Sequence, residues 1–157
     1  MKLLGFLSED AVLLDMNAST KEEAIRELIK VVVDAGELEP GKSEAVFKQV
    51  LEREARGSTG LGGGLAIPHV KDCPHVKGLT GAFGRSEGGI PFDAVDGNPV
   101  HLVFLILGGG GSTPQHLEVL KKLAALRLNE HFVRFLRDAK DASAATDTIK
   151  EMAGSIA

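Results

Sequence analysis

Along this chain of 157 residues, the first regular spacing of apolar positions is that of an amphipathic helix. The apolar residues recur so that one continuous stripe falls on one side of the helix. The stripe consists of Ala24, Ile25, Leu28, Ile29 and Val32. Thr20 and Glu23 form a capping-box sequence ahead of it, and Gly36 provides a stop signal. The pattern predicts a helix over residues 21–35 whose apolar stripe packs on a sheet.

A second helical pattern predicts a helix over residues 44–56, with Ser43 as its N-cap and Gly57 as its C-cap. Pro40 and Gly41 mark the loop between the two helices. The apolar face of the second helix consists of Val46, Phe47, Val50 and Leu51.

The spacing then changes to that of extended chain. Short apolar runs predict strands at residues 65–67, 78–85 and 100–107. The third run is apolar at nearly every position, as expected for a strand that is covered on both faces. Pro68 has no N–H to donate to a neighbouring strand, so it ends the first strand and leaves His69 just beyond that end. Between the second and third strands, turn residues leave room for little more than a short strand.

The rest of the chain is helical. Ser112, Thr113 and Pro114 open a third helix, with a hydroxyl N-cap and proline in the first helical position. Two more helices are predicted at residues 130–138 and 143–153. The predicted buried residues are Leu117, Leu120, Leu123, Ala124 and Leu128 of the third helix, Phe132, Val133, Phe135 and Leu136 of the fourth, and Ile149 and Met152 of the fifth. Two helices, three strands and then further helices predict an α/β fold with helices packed on a central sheet.

Length and composition narrow the class of protein. A length of 157 residues suffices for one domain and is too short for two, so a single domain over residues 1–157 is expected. The 18 Lys and Arg residues are scattered among 22 Asp and Glu, which argues against nucleic-acid binding. The longest apolar run, residues 102–107, is far below the roughly 20 residues of a membrane helix. A single cysteine, Cys73, cannot form an internal disulfide and fits a reducing cytoplasm.

A glycine-rich segment, residues 57–64, precedes the first predicted strand. It contains no GK[ST] sequence and leads into a strand, whereas the phosphate loops of nucleotide-binding proteins lead into a helix. The glycines are therefore interpreted as turn formers. His69, Cys73 and His75 lie close together in sequence, but Pro74 and the lack of a helically spaced His pair argue against zinc. No metal or cofactor is expected.

His116 occupies a position that favours a functional role beside an anion. It lies in the first turn of the third predicted helix, where free N–H groups and the positive end of the helix dipole attract anions and lower the pKa of an imidazole. It would be neutral near pH 7 and would donate a hydrogen bond beside an anion. The alternative is a structural role, and what lies opposite the ring decides between them. His101 and His131 are interpreted as a strand-edge polar residue and a solvated helix residue.

The densest motif of the chain is residues 53–69, which read REARGSTGLGGGLAIPH. Further along, residues 91–100 read PFDAVDGNPV before an apolar strand, and His116 and Leu117 stand at a helix start. Together, and in this order, these segments resemble the type 2 enzyme IIA proteins of the bacterial phosphotransferase system, the fructose, mannitol and nitrogen-regulatory group. The resemblance covers essentially the whole chain and is strongest over residues 50–136.

The resemblance implies a single α/β domain with a central mixed β-sheet flanked by helices. In that family the histidine of the Ala-Ile-Pro-His motif accepts a phosphoryl group from phospho-HPr, so His69 would be the acceptor. Arg53 would be the arginine near the site, and His116 the second active-site histidine. Phosphoryl transfer depends on fixed donors around the transferred group, and no metal is required. Further candidates for phosphate-binding donors are Ser58, Thr59 and Gly60.

Two physiological roles are compatible with the resemblance. No IIB-like segment and no membrane portion accompany the sequence, which favours a free-standing cytoplasmic phosphocarrier of the nitrogen-regulatory type, with HPr and regulatory targets as partners. The alternative is the IIA component of a fructose- or mannitol-type uptake system that passes its phosphate to a cysteine of a separate IIB domain. Either is a phosphotransferase component rather than a turnover enzyme. A hydrolase that uses Ser58 or Thr59 with His69 is a third interpretation, but the sequence places no partner acid for it.

Overall fold

The strands form one mixed sheet. A computed structural model of the chain describes residues 4–153 and contains a six-stranded sheet in that range. Its strands are β1 (Val12–Leu13), β2 (Gly60–Gly62), β3 (Leu65–Ala66), β4 (His69–Val70), β5 (Leu79–Ile90) and β6 (Val100–Gly108). Their order is β1-β5-β6-β3-β2, and β4 also pairs with β6. The pairs β5–β6 and β2–β3 are antiparallel and the others are parallel. The ends of the expected domain, residues 1–3 and 154–157, lie outside the described range.

Helices cover both faces of this sheet. The α-helices in residues 4–153 are α1 (Lys21–Asp34), α2 (Ser43–Glu54), α3 (Thr113–Leu126), α4 (Glu130–Asp138) and α5 (Ala142–Ala153), and 3₁₀ helices lie at Glu9–Ala11 and Pro40–Lys42. One apolar core lies between the sheet and α1 and α2, and a second lies between the sheet and α3 to α5. The central strand β6 is buried in both: Val103 and Leu105 face the first core, and Phe104 and Ile106 face the second. The predicted α/β fold with a central sheet is confirmed.

The sequence predicts the two long strands, β5 and β6, and the short strand β3. β5 runs on to Ile90 and not only to Arg85, with a register irregularity between these two residues. β1, β2 and β4 escape prediction because two or three residues carry no readable alternation. β4 also corrects one expectation. After Pro68 the chain pairs with β6 again, with His69 opposite Ile106, so His69 begins a strand and does not lie beyond one.

The buried face of α3 differs from the prediction. Its buried residues are His116, Val119, Leu123 and Leu126. Leu117 is 52% exposed, and Leu128, beyond the helix end, is 75% exposed. Apolar residues occur on more than one side of α3, so their periodicity alone does not select the side that meets the sheet. In α4, Phe132 and Leu136 are buried as predicted, but Phe135 is 48% exposed.

The hydroxyl residues at the helix starts behave in two ways. Thr20 caps α1 as predicted, because its Oγ1 accepts a hydrogen bond from the backbone N–H of Glu23 at 3.1 Å. Ser43 is the first residue of α2 and not its N-cap. Ser112 precedes α3, but its hydroxyl donates to the carbonyl of Gly109 at 2.6 Å and does not cap the helix. A hydroxyl bonds a nearby carbonyl as readily as a helix N–H, and the sequence does not distinguish the two.

No helix within residues 4–153 has the length and apolar character needed to cross a membrane.

Candidate functional site

His69 is held beside the central strand by its backbone and by its ring. Its backbone pairs with β6, and the buried Pro68 precedes it. The Nδ1 atom of His69 lies 2.7 Å from the carbonyl oxygen of Ile67. Because a carbonyl can only accept, Nδ1 must carry the proton, and Nε2 keeps its lone pair. The half-buried ring therefore presents one nucleophilic nitrogen in a fixed direction.

His116 faces His69 from the start of α3. The centroids of the two rings are 5.5 Å apart, and the ring planes are inclined at 61°. His116 is only 2% exposed, and neither of its ring nitrogens has a hydrogen-bond partner among residues 4–153. Leaving a buried polar group without a partner is costly. The group opposite this imidazole is a second histidine. This pairing, together with the two nitrogens that lack partners, favours a role in a functional site over a purely structural role.

Gly108, the last residue of β6, makes room for the ring of His116. A β-carbon added at Gly108 would lie 2.5 Å from Nδ1 of His116 and 3.0 Å from Oγ of Ser112. A side chain at this position would therefore displace the imidazole. By contrast, a β-carbon at Gly110 would meet nothing within 4 Å, so Gly108 and Gly110 are not equivalent.

A cleft of about 530 Å³ lies in front of the two histidines. Three cationic and two acidic side chains also line it: Arg53, Arg56, Lys71, Glu52 and Asp72. Arg53 is near the end of α2, where its Nη1 donates to the carbonyl of Gly57 at 3.0 Å. The excess of cationic groups, together with two imidazoles, favours a small anionic ligand, and guanidinium groups suit phosphate oxygens in particular.

Burial keeps the ring of His116 uncharged. Burial is the largest influence that lowers the pKa of His116, and positive charge on His69 and Lys71 lowers it further. The negative charge of Asp72 raises it, and the net result is a pKa of about 4. At neutral pH this imidazole therefore bears no charge, and one of its nitrogens carries a proton that it can donate to a ligand.

Several opposing influences act on His69. Burial lowers its pKa and is the largest of them, and the hydrogen bond to Ile67 raises it. The positive charge of Arg53 lowers the pKa of His69 further, while the negative charge of Glu54 raises it. The net effect lowers the pKa, so the ring is neutral at physiological pH and Nε2 is free to act as a nucleophile.

Ser58, Thr59 and Gly60 lie outside the cleft lining, and their donors have partners inside the protein. The hydroxyl of Ser58 donates to the carbonyl of Phe92 and accepts from the N–H of Gly60, the latter at 3.0 Å. The N–H and the hydroxyl of Thr59 both donate to the carboxylate of Glu54. The fold thus brings Arg53 to the two histidines but does not bring these three residues there.

The cysteine and the other histidines have ordinary surroundings. Cys73 is buried, and its Sγ lies 3.4 Å from Oε1 of Gln49. Nδ1 of His101 lies 3.0 Å from the carbonyl of Ser86, and His131 is exposed on α4. Among the residues that the structure describes, 4–153, no group of three or more His, Cys, Asp or Glu side chains is arranged to hold a metal ion.

A buried ion pair that the sequence does not predict lies behind the cleft. Glu54 is 7% exposed, and Nζ of Lys21 lies 3.0 Å from its Oε2. Charged helix residues usually face solvent, so neither residue attracts notice. One signal was present: Glu54 follows Val46 and Val50 at intervals of four, which places it on the buried face of α2.

Comparison with known proteins identifies the family that has this fold and site. Residues 5–152 match the family model described as "Phosphoenolpyruvate-dependent sugar phosphotransferase system, EIIA 2". The chain therefore belongs to the type 2 EIIA family of that phosphotransferase system, and the resemblance inferred from its motifs is confirmed.

Relatives with two kinds of role are similar to this chain. A fructose-specific EIIABC component of the phosphotransferase system of Bacillus subtilis is 35% identical over 151 residues, which cover 96% of this chain and 23% of that protein. This chain thus spans less than a quarter of the length of that relative. A nitrogen regulatory protein of Bradyrhizobium diazoefficiens is 35% identical over 144 residues, which cover 92% of each chain.

Solved structures share the fold. The nitrogen regulatory protein IIA-Ntr from Neisseria meningitidis superposes with a TM-score of 0.82 at 34% identity, covering 92% of this chain and 96% of that one. The Escherichia coli complex of mannitol enzyme IIA with phosphorylated mannitol enzyme IIB gives a TM-score of 0.76 at 23% identity, covering 92% and 97%. The mixed sheet with helices on both faces is therefore the fold of this family.

Proposed function

We propose that this chain is a phosphocarrier in which Nε2 of His69 accepts a phosphoryl group from an HPr-type carrier protein. The arrangement of the two histidines carries the proposal. One ring is fixed through Nδ1, and the other, 5.5 Å away, has two nitrogens without partners in residues 4–153. A phosphoryl oxygen near Nε2 would accept the hydrogen bond that the buried ring of His116 can donate.

The proposed transfer exchanges one P–N bond for another. The lone pair of Nε2 attacks the phosphorus atom of a phosphohistidine on the donor protein. The donor's P–N bond breaks, and its electron pair returns to the donor's imidazole. Nδ1 of His69 keeps its proton and its hydrogen bond to Ile67 throughout. The attack requires neutral imidazole, and the lowered pKa of His69 meets that requirement.

The other residues of the cleft would stabilise charge on the transferred group. In phosphoryl transfer, catalysis consists mainly of positioning and of stabilising the equatorial oxygens. Arg53, Arg56 and Lys71 supply positive charge, and His116 supplies an N–H. Residues 58–60 enter the proposal indirectly, because their hydrogen bonds hold the glycine-rich segment and do not point to the ligand.

We further propose a cytoplasmic role of the nitrogen-regulatory type, in which the phosphorylation state of His69 controls the binding of target proteins. The similarity to the Neisseria nitrogen regulatory protein, with a TM-score of 0.82 at 34% identity, supports this role. Sequence identity does not separate the roles, since the fructose-specific and nitrogen regulatory relatives are both 35% identical. The second candidate is a sugar-uptake IIA that passes its phosphate to a cysteine of a separate IIB domain, as the existence of a mannitol IIA–IIB complex suggests.

The phosphocarrier proposal is tested by incubating the chain with phosphoenolpyruvate, enzyme I and HPr. We expect acid-labile, base-stable phosphate on His69, and none on the His69→Ala variant. His131→Ala, which removes an exposed histidine of α4, is the matched control and should be labelled fully. Labelling of His116, or of no residue, would contradict the proposal.

The two roles are separated by what the phosphorylated protein does next. A panel of purified fructose- and mannitol-type IIB domains should leave a regulatory protein phosphorylated and should drain an uptake component rapidly. A pull-down that compares the phosphorylated wild type with His69→Ala should retain different partners if the role is regulatory. Identical partners together with rapid transfer to a IIB cysteine would favour sugar uptake.

A further inference from the structure

We propose that Glu54 is a positioning residue for His69, acting through Thr59 and Ile67 to fix the direction in which Nε2 faces the cleft. The inference rests on the proposed function, in which Nε2 is the phosphoryl acceptor. Glu54 does not line the cleft, so it acts through other residues and would not touch the transferred group.

Both carboxylate oxygens of Glu54 are engaged. Lys21, the first residue of α1, places its Nζ 3.0 Å from Oε2, and the lysine side chain is itself only 14% exposed. Its Nζ also lies 5.2 Å from the centroid of the Phe92 ring. A buried charge persists only where it is paired and hydrogen-bonded. The pair therefore fixes the last residue of α2 against the first residue of α1.

Thr59 connects this ion pair to the sheet. Its N–H lies 3.2 and 3.3 Å from the two oxygens of Glu54, and its hydroxyl donates to one of them. The carbonyl of Thr59 accepts from the N–H of Ile67 at 3.0 Å. The carbonyl of Ile67 in turn lies 2.7 Å from Nδ1 of His69. A continuous series of hydrogen bonds thus leads from Lys21 to the ring that would carry the phosphoryl group.

A purely structural ion pair would hold the two helices together without affecting the ring of His69. The charges near His69 indicate that Glu54 does affect this ring. Arg53 and Glu54 are adjacent on α2, and they have opposite effects on the pKa of His69, with Arg53 lowering it and Glu54 raising it. On α3, the titratable side chain that faces His69 is His116. When Nε2 is phosphorylated and Nδ1 keeps its proton, the ring gains positive character. A buried carboxylate favours that state.

Two variants test the connection. Glu54→Gln removes the charge but keeps an oxygen that accepts from Thr59. Thr59→Val removes the hydroxyl link and leaves the ion pair in place. The matched control is Arg85→Lys, because Arg85 donates to the carbonyls of Leu136, Arg137 and Ala139 at the end of α4, and its loss weakens the fold far from the cleft.

The measurement is ¹⁵N NMR of the ring nitrogens in protein labelled at histidine, which reports the tautomer and the pKa of His69 without any phosphate donor. In the wild type we expect the proton on Nδ1. Glu54→Gln should lower the pKa of His69 and populate the tautomer with the proton on Nε2. Its phosphorylation by HPr should slow by about 10- to 100-fold, since a displacement of about 1 Å costs on that order. Thr59→Val should show smaller changes in the same direction, and Arg85→Lys should show none.

A folded Glu54→Gln protein with the wild-type tautomer and pKa of His69 would overturn the proposal. So would an equal change in Arg85→Lys, since the effect would then follow from lost stability. If Glu54→Gln does not fold, Thr59→Val decides by the same signals. Failure of the wild type to accept phosphate would contradict the proposed function alone, because the ring signals are measured without transfer.

Discussion

The start of β4 and the start of α3 deliver the same side chain to one cleft in different states. At the strand, one nitrogen of His69 is tied to a carbonyl and the other is free. At the helix, both nitrogens of His116 are buried and lack partners in residues 4–153. The first arrangement fixes the direction of a nucleophilic nitrogen, and the second leaves an N–H available to donate to a ligand. The bonding of the two ring nitrogens, more than burial or sequence position, therefore separates an acceptor from a stabilising residue.

The largest effect short of losing His69 should come from removing the donor. His116→Ala should slow phosphorylation of His69 by about 10²- to 10³-fold, the cost of deleting one donor to developing charge. The initial rate of label transfer from phospho-HPr measures this, with His131→Ala as the control. A rate within about threefold of the wild type would show that His116 does not stabilise the transfer to His69.

Gly108→Ala should disturb His116 without altering it chemically. The new β-carbon would lie 2.5 Å from Nδ1 of His116, so the ring must move. We expect phosphorylation to slow by about 10- to 100-fold. Gly110→Ala is the matched control, because its β-carbon meets nothing within 4 Å. Equal rates for the two variants would mean that the placement of His116 is unimportant.

The burial of His116 should also appear in the pH dependence of stability. Its pKa is about 4 in the folded protein and about 6.5 in the unfolded chain. Between these values the unfolded chain binds a proton that the folded protein does not. The free energy of unfolding is therefore unaffected above pH 6.5 and falls by about 3 kcal/mol as the pH drops towards 4.

Urea unfolding at a series of pH values checks this expectation. His116→Gln should lose most of the slope between pH 6.5 and 4 and should keep the smaller contribution of His69, whose pKa burial also lowers. Parallel curves for the variant and the wild type would show that His116 is solvated and titrates normally.

The smallest effect should come from Ser58, which the sequence suggests as a hydrogen-bond donor to the phosphoryl group. Its hydroxyl donates to the carbonyl of Phe92 and not to the cleft. Ser58→Ala should therefore lower stability by about 1 kcal/mol and leave the phosphorylation rate within about twofold of the wild type. Parallel thermal unfolding and transfer assays measure both. A large loss of rate with little loss of stability would place Ser58 in the ligand site.

The sequence predicts the elements that have a readable period. The helix α1 follows from its capping residue and its apolar stripe, all of which is buried as expected. The long strand β6 follows from an unbroken apolar run. The strands β1, β2 and β4 do not follow, because they form by pairing with β5, β3 and β6, respectively, and not through a local pattern. The face of α3 does not follow either, since several of its sides are apolar.

The candidate site, like the fold, is predicted from the sequence only in part. The motif ending in His69 and the helix start at His116 identify the two histidines, because both are marked by nearby proline residues and by the family resemblance. The tautomer of His69 depends on a carbonyl two residues away and needs coordinates. The partners of Thr59 and the burial of Glu54 depend on contacts between α1, α2 and the sheet. The interval of four from Val50 places Glu54 on the buried face of α2, but no spacing along the chain identifies Lys21 and Thr59 as its partners.

Whether Nε2 of His69 is the phosphoryl acceptor is decided by identifying the ring nitrogen that bears phosphorus. NMR of ¹⁵N-histidine-labelled protein, phosphorylated through enzyme I and HPr, detects the coupling between phosphorus and the bonded ring nitrogen. We expect one coupling, to Nε2 of His69, with the proton retained on Nδ1. A coupling to Nδ1 of His69, or to either nitrogen of His116, would contradict it.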